Sequence, residues 1–492
     1  MKRTAFLLLS VLALGGCAVG PNYKRPDTAA QLPAASFSGQ PEKATEANGQ
    51  EWRTATPADR EPRGPWWTRF GDPELNRIEE QVVAGNQDLR AAVARVGEAR
   101  ATARVKGADF FPDIKLDAAA ERERLGANTP QFRQLSVPGF TIPPATLNSF
   151  SVPLDLSYEL DFWGRIRRAF ESAGAEAQAE AADAQNVLLG ATSEAALDYF
   201  ALRRDDAALK ILRETVELRK KAVDITSKRL DAGRVTALDL AQARTEEANA
   251  EADLAEVLQS RLQNQNAIAF LCGKPASDFA VAENPSLPEP PDVPVGLPSA
   301  LLERRPDVAR AERLVAARNA DIGVAKAAFF PKVSLTGQMG YLSYSTSNLF
   351  TSPSEVWSLG PSVSLPIFSG GRNAADLRRA KASWEEATAV YRGAVLGAVR
   401  DVENALVARR CLVERIDATA RAAAQAEEAL RLTEARYKSG EVSYFDVIEA
   451  QRTALTAKRA VAEIGALRLQ AAVSLIKALG GGWGDEEATA AR

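Results

Sequence analysis

Two stretches of this 492-residue chain, Arg165 to Ala232 and Arg372 to Ser439, run for 68 residues each with no proline and scarcely a glycine. Helical throughout, each would be roughly 100 Å long, more than a compact domain accommodates. The apolar pattern of the first says what it packs against. Leu202, Leu209, Val216, Val223 and Leu230 recur every seven residues, joined by Leu212. A second seam, Ile211, Leu218 and Ile225 with Ala222, has the same period. Leu209 and Ile211 are two positions apart, about 200° around a helix, so the seams lie on opposite sides. A dimeric coiled coil needs one seam; a stave in a cylindrical wall needs one for each neighbour. A helix buried inside a bundle also carries apolar residues on several sides, but leaves the length unexplained. In the second run, Ala418, Ala420, Ala422, Ala423 and Ala424 permit close helix approach.

The chain repeats itself. Asp88 through Phe110-Phe111-Pro112-Asp113-Ile114-Lys115-Leu116 is echoed 219 residues later by Asp307 through Phe329-Phe330-Pro331-Lys332-Val333-Ser334-Leu335. At an offset of 207, Trp163-Gly164-Arg165 matches Gly370-Gly371-Arg372, Gly233 matches Gly440, and Asp239 matches Asp446. Each copy reads as helix, two strands, very long helix, helix, with Pro112 and Pro331 closing the first helix. In the strands Val152, Leu154, Leu156, Tyr158 and Leu160 share one face, against Ser151, Asp155, Ser157 and Glu159. In the second copy Trp357, Leu359, Val363, Leu365 and Ile367 oppose Ser358, Gly360, Ser362 and Ser364. Such alternation fits a half-buried soluble sheet and equally a lipid-facing barrel with a watery lumen. The segments 126–150 and 342–355, rich in Pro, Ser, Thr and Asn, read as turns and loops.

Lys2 and Arg3 precede the largely apolar run Ala5–Leu14, too short to span a membrane as a helix, and the whole reads as a secretion signal. Leu14-Gly15-Gly16-Cys17 resembles a lipobox, which makes Cys17 the lipidated mature N-terminus. Ala18 follows, where an aspartate would resemble an inner-membrane retention signal. Beyond the signal no stretch of about twenty apolar residues exists, so a membrane span would have to be a closed barrel. Loss of Lys2 and Arg3 leaves 59 basic against 64 acidic residues, net −5, which does not suit a nucleic-acid partner. Cys272 and Cys411 have no ligand-like spacing and read as buried free thiols in helices. The sequence has no histidine, which removes histidine acid–base, triad and zinc chemistry. No cofactor and no catalytic residue is expected, and the chain does not read as an enzyme.

Several motifs carry a resemblance. Cys17-Ala18-Val19-Gly20-Pro21-Asn22-Tyr23-Lys24-Arg25-Pro26, Trp66-Trp67, Phe70-Gly71-Asp72-Pro73-Glu74-Leu75 and Asp161-Phe162-Trp163-Gly164-Arg165 begin the series. Gly296-Leu297-Pro298-Ser299, Arg304-Arg305-Pro306-Asp307-Val308, Ala311-Glu312 and Ala325-Lys326-Ala327-Ala328-Phe329-Phe330-Pro331 continue it. Pro366-Ile367-Phe368, Gly370-Gly371-Arg372 and Ala478-Leu479-Gly480-Gly481-Gly482-Trp483 complete it. In order along nearly the whole mature chain, these resemble the TolC/OprM (NodT-like) family of outer-membrane efflux channel lipoproteins.

The resemblance implies a mainly α fold with a small β part. A homotrimer would form a long α-helical trans-periplasmic barrel and a transmembrane β-barrel of about twelve strands, with two structural repeats per chain. The implied organisation is a lipoprotein signal over 1–16, a lipid-anchored N-terminal segment over 17–72 and a first repeat over 73–272. An equatorial linker over 273–297, a second repeat over 298–483 and a tail over 484–492 follow. Segments 27–65 and 272–298 would build a mixed belt. The implied function is the exit duct of a tripartite efflux pump, passively conducting small molecules such as drugs or other toxic compounds. The implied partners are outer-membrane lipid, a periplasmic membrane-fusion adaptor and an inner-membrane transporter of RND type. A type I protein-secretion channel and a pore-less periplasmic coiled-coil scaffold are the alternatives.

Arg229 to Thr236 and Arg436 to Ser443 look like helix–turn–helix tips, with Gly233 and Gly440 able to take the positive φ that ends a helix. In the family such tips dock the adaptor, which singles out Gly233, Arg234, Gly440 and Glu441. The stretch from Tyr437 to Arg452 resembles the family's gate motif. Tyr437 takes the gate tyrosine's place, Phe445 that of a pore-closing leucine, and Asp446 and Glu449 those of pore carboxylates. Arg452 takes the place of a bridging arginine, with Asp239 as a partner from the first repeat. Phenylalanine for leucine and glutamate for aspartate are departures from that motif. Asp446, Glu449 and Arg452 are spaced by three and share one helix face.

Overall fold

The computed structural model describes residues 18–28, 31, 64–125, 145–293 and 304–481. Cys17, the signal, most of the segment 17–72, residues 294–303 with Gly296–Ser299, and Trp483 with the tail lie outside the described residues. A similar succession of elements occurs twice, with two helices before the strands in the first and one described helix in the second. Helices α1 (Pro73–Gly85) and α2 (Gln87–Ala108) lead to strands β1 (Asp113–Leu116), β2 (Ala119–Leu125) and β3 (Ala145–Leu160). Helices α3 (Arg165–Asp231) and α4 (Ala237–Leu271), of 67 and 35 residues, follow. Helix α5 (Pro306–Ala327), strands β4 (Lys332–Ser343) and β5 (Glu355–Ser364), and helices α6 (Arg372–Lys438) and α7 (Tyr444–Ala478) repeat the series. Helices α6 and α7 again have 67 and 35 residues. No helix among the described residues is long and apolar enough to cross a membrane.

The chain divides into two compact units, the first comprising 1–25, 97–178 and 313–389. It holds an antiparallel sheet in which β1 and β2 both pair with β3, followed by β4 and β5. Asp113 faces Ser157 and Ala119 faces Ser151, so β1 and β2 keep one register on β3. They form one strand, interrupted opposite Pro153, which has no N–H to donate to Asp117; the Asp117 N–H still donates to the Pro153 carbonyl at 3.0 Å. The sheet is therefore four strands wide, with both edges unpaired among the described residues. Cross-strand partners share a face. Leu154, Met339 and Trp357 form one row of the apolar face, and Leu156, Gly337 and Leu359 the next. Ile114, Leu116, Met339, Trp357, Leu359 and Val363 are all exposed, so nothing among the described residues covers that face.

Three boundaries differ from the sequence reading. β3 begins at Ala145, so residues 145–150 are strand rather than loop: Asn148, Ser149 and their neighbours look turn-like but are paired with β2. β5 ends at Ser364, which leaves Leu365 and Ile367 beyond the sheet next to Pro366, where the missing N–H stops the ladder. β4 runs to Ser343, two residues into the expected loop.

Residues 18–22 are held within this unit by backbone and side-chain bonds. The Val19 N–H donates to the Trp163 carbonyl at 2.9 Å, and Asn319 Nδ2 donates to the Pro21 carbonyl at 3.0 Å. A Cβ on Gly20 would stand 2.6 Å from the Gly323 backbone, so only glycine fits there. Trp163 stacks on Phe330 at 4.7 Å and donates to the Pro331 carbonyl, tying the two strand–helix junctions together.

The second unit comprises 26–96, 179–312 and 390–492. The Phe70–Leu75 motif is a helix start: Gly71 takes φ 64°, Asp72 accepts from the Glu74 and Leu75 N–H groups, and Pro73 opens α1. Trp66 and Phe70 pack in the core, with Trp66 Nε1 on Thr192 Oγ1 and Tyr199 OH donating to Asp72. Arg203 and Arg261 share Asp206 and donate to the carbonyls of Ala282 and Val281, strapping residues 281–284 onto α3 and α4. Arg305 joins Asp307, Asp401 and the Ala478 carbonyl, which gives the Arg304–Asp307 motif a structural task at the end of α7. Cys272 is buried, its thiol pushed up to about 11 by burial. Cys411 is exposed on α6, contrary to the expectation of two buried thiols.

Leu202, Leu209, Leu212 and Val216 are buried within the chain. Leu218 and Ile225, of the opposite seam, stay 63% and 51% exposed. One seam of α3 is packed along these four residues, and the other is left largely uncovered by the described residues.

Candidate functional site

The two helix–turn–helix tips are built alike. Gly233 and Gly440 take φ 67° and 82°, conformations that disfavour a Cβ, although open space surrounds both. The Arg234 N–H reaches back to the Arg229 carbonyl and the Glu441 N–H to the Arg436 carbonyl, satisfying carbonyls that each long helix leaves free. Thr236 and Ser443 then cap α4 and α7. The Asp239 N–H donates to Thr236 Oγ1 while the Asp239 carboxylate accepts from the Thr236 N–H at 2.7 Å. Asp446 does the same with Ser443 at 2.8 Å, and the Ser443 hydroxyl and backbone bonds hold its carboxyl below the usual range. Arg234 and Glu441 are exposed, and Glu441 pairs with Arg436 at 3.3 Å.

The two tips meet around aromatic rings. Tyr444, Val447, Ile448 and Ala243 form a buried cluster against which Val223 and Tyr437 pack. Arg229 donates to Tyr437 OH at 3.0 Å and lies over its ring. On the other side of α7, Phe445, Asp446, Glu449 and Arg452 are exposed, so the face predicted to carry the gate is bare within one chain.

Arg452 pairs with Glu449 at 3.1 Å and with Glu246 of α4, not with Asp239. Glu246 also pairs with Arg219 of α3 at 3.3 Å, and Arg219 hydrogen-bonds Gln451 of α7. A second pair, Asp253 with Arg459, sits one heptad further along α4 and α7 at 3.3 Å. Glu246 and Arg219 are the residues that sequence reading missed. Their side chains are 7% and 5% exposed against 51% for Arg452, so a buried electrostatic joint lies behind the predicted face. Its signal was the common separation of 206 between Glu246 and Arg452 and between Asp253 and Arg459, legible only once α4 is known to lie beside α7.

The family model for outer membrane efflux proteins matches residues 79–274 and 297–481. Outer membrane protein OprJ of Pseudomonas aeruginosa is 36% identical over 495 residues, covering 98% of this chain and 97% of its own. Pyoverdine export outer membrane protein OpmQ of the same organism is 35% identical, covering 87% and 89%. The solved structure of the outer-membrane channel OprN superposes with a TM-score of 0.82 at 32% identity, over 95% of this chain and all of that one. The long paired helices, the four-strand sheet and the matched length all agree: this chain is an outer-membrane protein and belongs to the outer membrane efflux protein family.

Proposed function

We propose that three copies of this chain form the exit duct of a tripartite efflux pump, passively conducting small molecules and catalysing no reaction. The observation that carries this reading is unmet apolar surface of two matched kinds. The four-strand sheet has an uncovered apolar face and two open edges, which three copies would close into a barrel of about twelve strands. The α3 seam of Leu218 and Ile225 needs a further helix, which a neighbouring copy supplies. The two repeats, 73–272 and 298–483, would each contribute two strands and one tip. The substrate is set by the inner-membrane transporter, of RND type, because a watery duct has little need of recognition. Disulfide crosslinking through Leu218→Cys paired with apolar positions of α6 or α7 should give covalent trimers, and the protein should conduct ions in planar bilayers. Monomers without conductance would end the reading.

Cys17 is proposed as the acylated N-terminus. Ala18 abuts Gly164, four residues beyond the end of β3, which supports an acyl chain entering the bilayer beside the sheet. Cys17→Ala with a cleavable signal should lose fatty-acid labelling and still give detergent-extractable trimers. Recovery as soluble protein only would count against a barrel that anchors itself.

The tips are proposed to dock a periplasmic adaptor through Gly233, Arg234, Gly440 and Glu441, with Asp239, Tyr437, Phe445, Asp446, Glu449 and Arg452 closing the periplasmic end. The space around both glycines is open, so a side chain there costs only the strain of positive φ, about 1–2 kcal/mol. Gly233→Leu with Gly440→Leu should therefore leave trimers intact and abolish export, measured as dye retained by the cells. Unchanged export would remove the tips from docking.

A further inference from the structure

β2 reads Ala119-Ala120-Glu121-Arg122-Glu123-Arg124-Leu125, and its pairing sorts the charges by sign onto opposite faces. Ala120 lies opposite Phe150, Arg122 opposite Asn148 and Arg124 opposite Thr146. Both arginines therefore share the face of Phe150, Val152, Leu154 and Leu156. Glu121 and Glu123, opposite Ser149 and Leu147, share the face of Asp155 and Glu159. The apolar rows run from Phe150 to Leu160, about 33 Å along the strand. At the usual barrel tilt of about 45° that is close to the ~25 Å apolar band of an outer-membrane barrel. Arg122 and Arg124 lie two and four residues past it, about 7 and 13 Å along the strand, beyond the Tyr341–Phe350 ring pair at the same end.

Both arginines are exposed, and neither has a hydrogen-bond or ion-pair partner among the described residues. Their cross-strand neighbours, Asn148 and Thr146, are neutral. Two unpaired guanidinium groups one strand repeat apart, at headgroup depth on the lipid side, match phosphate, which accepts two parallel N–H bonds from each. The end carrying them is the one away from the helices, because β3 begins there and runs back to α3. We infer that Arg122 and Arg124 bind the phosphate groups of the glycolipid headgroups in the outer leaflet, fixing each chain's edge strand in the membrane. The inference rests on the barrel reading.

The test uses the full-length protein purified in detergent. Native mass spectrometry would compare retention of diphosphorylated lipid A with its phosphate-free form. The natural protein should prefer the phosphorylated lipid roughly tenfold or more, and Arg122→Gln with Arg124→Gln should remove the preference. Glu121→Gln with Glu123→Gln, on the opposite face, should keep it. No preference in the natural protein, or a preference surviving the arginine changes, overturns the inference while leaving the barrel standing. Dissociation of the arginine variant in lipid-free detergent also overturns it, because the arginines would then be pairing with an acid of the next copy, such as Glu355. Loss of lipid only in the glutamate variant, or failure of every variant to partition with membranes, would sink the barrel reading as well.

Discussion

Glu79→Met should stabilise this protein against denaturant by about 3 kcal/mol at pH 7, an unusual sign for a buried substitution. Glu79 sits in α1 among Leu75, Ile78 and Val82, fully buried, and neither carboxylate oxygen has a hydrogen-bond partner. Burial pushes its carboxyl up to about 9 from an ordinary 4.5. The Cys272 thiol, just past the end of α4, interacts with Glu79, and burial alone accounts for the carboxyl's shift. In the unfolded chain the group ionises above pH 4.5; in the folded protein it stays protonated up to about pH 9. Stability is therefore fully retained below pH 4.5 and falls by about 1.4 kcal/mol per unit as pH rises towards 9. Methionine has similar length, titrates nowhere and removes that slope. Urea titrations followed by helical circular dichroism from pH 4 to 9 would measure it. The two proteins should converge near pH 4 and diverge steadily above. Parallel curves would mean that Glu79 is ionised and paired in the assembled protein.

The parts of this fold legible in sequence were those set by long, regular patterns. The proline-free runs gave α3 and α6 to within one residue, because nothing within 67 residues competes with helix. The paired seams were legible for the same reason: Leu209 and Ile211 differ in burial as their separation requires. Local irregularity was harder. Residues 145–150 look like loop by composition, and only their partner β2 makes them strand. The tip glycines were legible because a positive φ is a local matter. Asp239 and Asp446, matched between the repeats and assigned to a gate, turn out to complete the caps of their own helices. The electrostatic joint was not legible. Arg219 and Glu246 lie on α3 and α4, and a charge on an alanine-rich helix reads as solvated surface until its neighbour is known.

On the proposed reading of a duct closed at its periplasmic end, that joint carries the larger expected effect. Glu246→Ala should open the channel far more than Arg452→Ala, the change that the family motif alone would suggest. Arg452 is half exposed, so its pairing with Glu246 and Glu449 is screened and contributes about 0–1 kcal/mol. Arg219 is buried, and burial lowers its affinity for the proton while Glu246 opposes that effect. Removing Glu246 leaves this guanidinium with Gln451 as its remaining partner, and breaking such a buried pair costs about 3–5 kcal/mol. The cost falls on the packed arrangement of α3, α4 and α7; once the helices part, Arg219 is hydrated. The ratio of open to closed channels should then rise by about two to four orders of magnitude. Single-channel recording in planar bilayers reads this as a larger mean conductance. Adding Arg219→Met to Glu246→Ala removes the unpaired charge and should restore closure. Asp376→Asn with Arg379→Gln, an exposed pair near the start of α6, should change nothing. If the double variant stays open, lost packing rather than the stranded charge is responsible. If Glu246→Ala conducts like the natural protein, α4 and α7 do not separate when the duct opens, and the gate lies elsewhere.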